Sequence, residues 1–282
     1  MSISLGERMK MYEHVYSYNL PIRTPCIIRC DGKAFRTFTK GFKYPFSILL
    51  RYCMIEAARH LCKNVQNTQL AYVQSDEISL LIVERGEDTQ NWFGKSINKM
   101  VSISASICTN GFNKALMNAL NDKKFVNPFT NQEEILNDEY VNRLKNKIFT
   151  AEFDSRAFCL PEFEVSNAFI FRQRDAIRNS IQQVAYGYFS VKERHGIKTN
   201  MLVEKLKNEK GVNYYSYPIY LQRGVCLYKE NYMLPESNAI RTRWTLDQNI
   251  PLFEENRDYI NQYLVYQGDL QQSNWKGTKN VQ

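Results

Sequence analysis

With 282 residues, 44% of them hydrophobic and 13% aromatic, the chain holds enough apolar material for one large core or two packed layers, which excludes a disordered chain. Its 37 Lys and Arg against 29 Asp and Glu leave +8 at neutral pH, a balance suited to a polyanion such as RNA. The seven cysteines form no C-x-x-C pair, and none stands at zinc-ligand spacing from His14, His60 or His195, so buried reduced thiols are expected rather than a metal cluster or a disulfide framework.

The first ten residues lack an apolar signal core and include Glu7, and no stretch is long enough to cross a bilayer, so the expectation is no membrane and a cytoplasmic location, with mitochondria left open. Residues 5–18 read as a helix with Leu5, Met9, Tyr12 and Tyr16 near one face, ended by Pro21 and Pro25. A strand follows at Cys26 to Cys30 and delivers Asp31 at its exit. Residues 46–64 read as an amphipathic helix with Ile48, Tyr52, Ile55 and Cys62 on its stripe. Two strands, 69–74 and 78–83, form a hairpin whose turn is Ser75-Asp76-Glu77. From Asn91 to about Leu120 the helical period returns, with Phe93, Ile97, Met100, Val101, Ile107 and Cys108 on the apolar side. A fourth strand fits within 148–160.

The order β-α-β-β-α-β defines an α+β, ferredoxin-like, polymerase-palm-like sheet with helices over one face. Residues 1–160 are expected to form this palm. Residues 161–245 read as a mainly helical, RNA-contacting region, with a long helix to about Arg194, a short one near 201–209 and a Tyr-rich stretch. Residues 246–282 read as a tail or oligomer arm, loosely held where it passes Gln271, Gln272, Ser273, Asn274 and Gly277.

Asp31 and Asp76 are the candidate chemistry. Each acid stands at the rigid end of an apolar strand, and in one sheet the two come within reach of a shared pair of Mg²⁺ ions, as in-line phosphoryl transfer requires. Gly32 lets the backbone approach a metal or phosphate, and Glu77 is a further ligand or orients one. Lys33 and Arg36 can neutralise a triphosphate cradled by N–H groups from Gly32 through Ala34 to Phe35, although both also suit a solvated surface. Lys95 and Lys99, spaced as one helical turn, form either a phosphate clamp or an ordinary polar face. Further along, Arg172, Arg174, Arg178 and Asn179 make an RNA-facing helix surface, unless Arg172 simply pairs with Asp175. Tyr214, Tyr215 and Tyr217 are core residues or platforms for unpaired bases.

These residues resemble the tRNA-His guanylyltransferase superfamily, and within it the guanylyltransferase-like branch of 3′-to-5′ RNA polymerases. The likeness is carried by Arg29-Cys30-Asp31-Gly32-Lys33-Ala34-Phe35, Gln74-Ser75-Asp76-Glu77, Asn91-Trp92-Phe93, Phe153-Asp154-Ser155-Arg156-Ala157-Phe158, Arg172-Gln173 through Asp175 to Asn179-Ser180, His195-Gly196 and Gln222-Arg223-Gly224-Val225. It implies addition of nucleotides to the 5′ end of tRNA by attack of an NTP 3′-hydroxyl, with ATP activating 5′-monophosphate ends and GTP or other NTPs as substrates. It also implies Mg²⁺ held by Asp31, Asp76 and a Gly32 backbone oxygen, nucleotide contacts along Asp31 to Arg36 and at Ser75 and Asp76, and a homotetramer.

Departures refine the expectation. Tyr44-Pro45 stands where the family usually has Lys-Pro, a lysine implicated in activating the 5′ end, and Lys43 is the candidate replacement. The run Ala176-Ile177-Arg178-Asn179-Ser180-Ile181-Gln182 replaces the family's anticodon-linked run, which favours repair of 5′-truncated tRNAs over addition of G at position −1 to tRNA-His. A nucleotide cyclase on the same topology lacks its usual Gly-Gly hairpin here, and a tRNA-binding module without turnover is the non-enzymatic rival.

Overall fold

A computed structural model describes residues 3–84, 89–233 and 239–264. Gln271, Gln272, Ser273, Asn274 and Gly277 lie outside the described residues.

The helix α1 (Leu5–His14) begins with a Ser4–Glu7 capping box and buries none of its residues, so its apolar stripe finds no partner within the described chain. Strand β1 (Cys26–Gly32) is central. The short α2 (Phe35–Phe38) and long α3 (Ile48–Asn64) follow, then the hairpin β2 (Thr68–Gln74) and β3 (Glu77–Ile82). The helix expected from Asn91 starts later, as α4 (Ile97–Asn121), because Phe93, Gly94 and Lys95 all take positive φ in a turn that precedes it. Phe93 therefore points outward, 43% exposed, instead of joining the apolar face.

A small ribbon of β4 (Lys124–Val126) and β5 (Glu133–Ile135) leads to α5 (Asp138–Leu144) and to β6 (Phe153–Cys159). The long α6 (Glu162–Tyr188) ends before α7 (Val191–Arg194). Then come α8 (Thr199–Lys210), α9 (Ile219–Arg223), β7 (Val225–Met233), β8 (Ile240–Asp247) and α10 (Asp258–Asn261).

The main sheet runs β6-β1-β3-β2-β7-β8, with every pair antiparallel. Its first four strands reproduce the expected βαββαβ order. The last two extend it, so the palm sheet does not stop at residue 160 and residues 161–245 are not wholly helical. Only Val225, Cys226 and Leu227 of β7 are buried, and the rest alternates between partly buried and exposed beyond the core. Three apolar residues are too short a run to announce a strand.

Alternation along the strands builds two cores. Cys26, Ile28, Cys30, Ala71, Val73, Ile78, Leu80 and Ile82 pack on α3 and α4. Ile27, Leu70, Tyr72 and Leu81 face the other way, onto Val165, Phe169 and Ile170 of α6 and onto Ile250, Phe253 and Ile260. The expectation that residues beyond Trp244 form a loose tail is corrected for 246–264. Ile250, Phe253 and Ile260 are fully buried, and Gln173 of α6 clasps the segment by donating to the Pro251 carbonyl and accepting from the Phe253 N–H. The second sheet face is therefore partly roofed.

Candidate active site

The acids meet where β1 ends beside the β2–β3 turn. Antiparallel pairing sets Asp31 opposite Glu77 on one side and opposite Asp154 on the other, so all three start from one face of the sheet. Gln74 pairs with Glu77, leaving Ser75 and Asp76 as a two-residue turn with Ser75 in the left-handed region, φ 47°. The Gly32 N–H donates to the Asp76 carbonyl at 3.0 Å, which ties the β1 exit to this turn.

Phe35 fixes the following bend. Its ring joins Phe38, Phe112 and Phe153 beneath the sheet end and folds back over Gly32, where a Cβ would stand 2.3 Å from the ring. Only glycine fits there. The expected N–H cradle is narrower than the sequence reading supposed. The Gly32 and Lys33 N–H groups are taken by the carbonyls of Asp76 and Glu152, leaving those of Ala34, Phe35 and Arg36 at the start of α2. Lys33 pairs with Glu152 at 2.5 Å with both side chains exposed, and Arg36 is exposed. Exposed pairs are weak and open readily to a ligand.

Electrostatics mark the acids as incomplete. Burial raises the Asp31 pKa above its ordinary value, and the charges of Asp76, Glu77 and Asp154 add to this. Burial also raises that of Asp76, against the lowering effect of a hydrogen bond from Ser75. Two carboxylates and a backbone oxygen are a hard-oxygen set lacking positive charge, which is the chemistry that fits Mg²⁺. Among the described residues no group of three or more His, Cys, Asp or Glu can hold a metal by itself. A cation here would complete its shell with backbone, phosphate and water, as Mg²⁺ ordinarily does beside a nucleotide.

Glu77 is placed differently from a free ligand. It is 3% exposed, and its carboxylate accepts from Arg172 Nε at 2.8 Å and Nη2 at 2.5 Å, with Arg29 Nε at 3.8 Å. Its geometry makes it a holder of the turn. Arg172 correspondingly turns inward to the sheet instead of toward RNA. Arg178 and Asn179 are tied to Asp175, and Arg174 to Glu254, so each basic residue of that surface already has an intrachain partner. Arg174 and Arg178 remain exposed enough to exchange these partners for phosphates.

The reading of Lys95 is corrected outright. Lys95 is 1% exposed, bonds the Thr24 carbonyl at 2.8 Å and pairs with buried Glu84 at 3.0 Å. Thr24 precedes β1, so Lys95 lies at the opposite end of that strand from Asp31, roughly 20 Å away at the usual rise per residue. Lys99 is exposed in the first turn of α4 at the same remote end, next to Asn98, which bonds the Tyr16 carbonyl. Lys95 is therefore not a nucleotide clamp, and Lys99 is left as an exposed residue at the strand end away from the acids. Lys43 also turns away, its Nζ 5.6 Å from the Tyr140 ring centroid. Tyr214 is buried against Ser180, Tyr217 leans on Phe46, and Tyr215 is exposed.

Between the sheet and α6 lies a cleft of about 350 Å³, bounded by Ile27, Phe158, Phe171, Ser79, Arg29 and Arg172. It adjoins the Glu77–Arg172 pair. The sequence shows Asp154 within a motif without giving it a role, and places Arg51 off the apolar stripe of the 46–64 helix with no role either. The first was legible as an acid one residue into a strand, whereas an arginine in a helix carries no such signal.

The model of the tRNAHis guanylyltransferase family matches residues 6–161. A bacterial tRNA(His) guanylyltransferase-like protein in complex with ATP matches in structure with a TM-score of 0.78 at 36% identity, over 93% of this chain and 100% of its own. A bacterial complex of such a protein with GTP gives 0.72 at 34%, over 93% and 99%. The tRNA(His) guanylyltransferase of Saccharomyces cerevisiae shares the fold, with 0.59 at 19% over 87% and 98%. An uncharacterized protein of Acanthamoeba polyphaga mimivirus is 23% identical over 237 residues, 80% of this chain and 77% of its own.

Proposed function

The chain belongs to the tRNAHis guanylyltransferase family, nucleotidyltransferases acting on tRNA, and from that premise we propose that it adds nucleotides in the 3′-to-5′ direction to the 5′ ends of truncated tRNAs, reading the opposite strand as template. The observation that carries this reading is the convergence of Asp31 and Asp76, tied through the Gly32 N–H to the Asp76 carbonyl. Asp31, Asp76 and the Gly32 carbonyl would hold Mg²⁺, which when bound lowers the pKa of a 3′-hydroxyl and neutralises departing pyrophosphate or AMP.

The remaining work falls to the chain itself. The N–H groups of Ala34, Phe35 and Arg36, with the Lys33 and Arg36 side chains, receive the triphosphate of the incoming NTP or of ATP. Arg172 and Glu77 hold the β2–β3 turn so that Asp76 cannot drift from Asp31. Arg174 and Arg178 trade their surface carboxylates for tRNA backbone phosphates, and the net charge of +8 favours the encounter. Repair is preferred to obligatory addition at position −1 because the run from Ala176 to Gln182 departs from the anticodon-linked pattern. A homotetramer in the cytoplasm completes the reading.

The test is extension of a 5′-truncated tRNA other than tRNA-His with all four NTPs. Incorporation matched to the template at every position, with ATP needed only for 5′-monophosphate ends, is expected. Use of GTP alone on tRNA-His alone would overturn the repair reading. Undiminished tRNA binding without incorporation, equal in the parent and Asp76→Ala, would overturn the enzymatic one.

A further inference from the structure

A cation with no counter-charge sits behind the Ser75–Asp76 turn. Arg51 lies in the first turn of α3, with its guanidinium carbon 5.5 Å from the Phe46 ring centroid. Among the described residues no carboxylate pairs with it, and its side chain makes no hydrogen bond. Burial pushes its pKa down to about 10, and Tyr220, Tyr72 and Tyr214 nearby offset this only in part. Arg51 is partly buried rather than sealed in the core, so its unpaired guanidinium donors can meet a ligand that enters from the surface.

Arg51 borders a polar recess of about 20 Å³, room for roughly one oxygen atom. Gln74 shares this recess. It is 4% exposed, and its Oε1 has no partner. The other polar walls are already committed. Asn179 donates to Asp175, Ser180 to the Leu221 carbonyl, Gln183 to the Pro45 carbonyl and Gln222 to the Tyr217 carbonyl. The recess thus presents an idle cation and an idle amide, and it opens beside Ser75, next to the acid that carries the chemistry.

We propose that Arg51 receives an oxygen of the 5′-phosphate group of the polynucleotide end being extended, an inference that rests on the 5′-end nucleotidyl transfer argued above. A single phosphate oxygen matches the size of the recess, and the guanidinium fork matches its charge. The Gln74 amide, turned by exchange of its O and N, donates to the same group. Lys43 lies over the Tyr140 ring and does not line the recess, and Tyr44, which donates to the Gln183 carbonyl, carries no positive charge to offer. Arg51 does.

The experiment compares the full-length parent, Arg51→Met and Arg51→Lys on one RNA hairpin bearing a 5′-triphosphate, a 5′-monophosphate or a 5′-hydroxyl. Binding is read by competition, incorporation by gel, and folding by thermal unfolding without ligand. In Arg51→Met the KM for 5′-phosphorylated RNA should rise about tenfold to a hundredfold, the usual loss for a charged hydrogen bond. The KM for the incoming NTP should stay within about twofold, and the Met variant should unfold at or above the parent temperature because it removes an unpaired charge. Arg51→Lys should recover part of the loss, and the parent's preference for phosphorylated over hydroxyl ends in binding should vanish in Arg51→Met.

Three results overturn the proposal: unchanged affinity for phosphorylated RNA in Arg51→Met, an effect confined to the NTP, or a fall in unfolding temperature with equal losses on all three ends. A parent protein that incorporates nothing would refute the enzymatic reading, while its discrimination between phosphorylated and hydroxyl ends still decides the role of Arg51.

Discussion

Replacing Glu77 by Gln should cost more stability than any exposed charge change in this protein. Its carboxylate is 4% exposed and accepts two hydrogen bonds from Arg172, with Arg29 adding charge at 3.8 Å. Removing one member of a buried pair costs about 3–5 kcal/mol, because the surviving charge stays desolvated. Arg172 keeps Asp175 at 3.2 Å, so the lower half of that range, about 3–4 kcal/mol, is expected for Glu77→Gln. Arg172→Met should cost less, about 2–3 kcal/mol, since Glu77 retains Arg29 and a hydrogen bond from Ser79. In the double variant neither charge is stranded on the other, and the coupling should recover about 1–3 kcal/mol. Urea unfolding of all four proteins measures the cycle. Losses that add within about 0.5 kcal/mol would show that the two side chains do not depend on one another and would refute the holding role of Glu77.

Other perturbations probe the same site. Asp31→Asn and Asp76→Asn should each abolish nucleotide incorporation while leaving unfolding temperature equal or higher. Both pKa values are raised by burial, so the native protein binds protons that the unfolded chain releases, and stability falls as pH rises from the ordinary carboxylate range through the raised values. Each Asn variant should flatten that fall in a pH series of unfolding curves, and a slope identical to the parent's would count against the electrostatic account. Gly32→Ala drives a Cβ into the Phe35 ring, costing about 1–3 kcal/mol and on the order of a hundredfold in activity, to be read by unfolding and steady-state kinetics. Lys99→Ala should leave activity unchanged, whereas Lys95→Ala strands buried Glu84 and should destabilise by about 3–5 kcal/mol, measured by denaturant unfolding.

Much of this protein was legible along the chain. Strand-length apolar runs ending in Asp31 and Asp76 announced both the palm order and the acids, because period-two burial and rigid strand ends are local properties. Local pattern did not reveal where a charged side chain would turn. Lys95 has the spacing of a partner for Lys99, yet a run of positive-φ residues delays the start of that helix and drops Lys95 into a buried pair with Glu84. Arg172 and Glu77 are 95 residues apart in sequence, and only the packing of α6 over the sheet brings them into contact. Strands β7 and β8 escaped notice because half of each projects past the core, where burial no longer imposes a pattern. The sequence by itself determined the strand ends, the acids and the family. Packing chose which cations are spent on internal carboxylates, such as Lys95 and Arg172, and set Arg51 against a polar recess without one, because desolvation and pairing depend on neighbours that chain order does not contain.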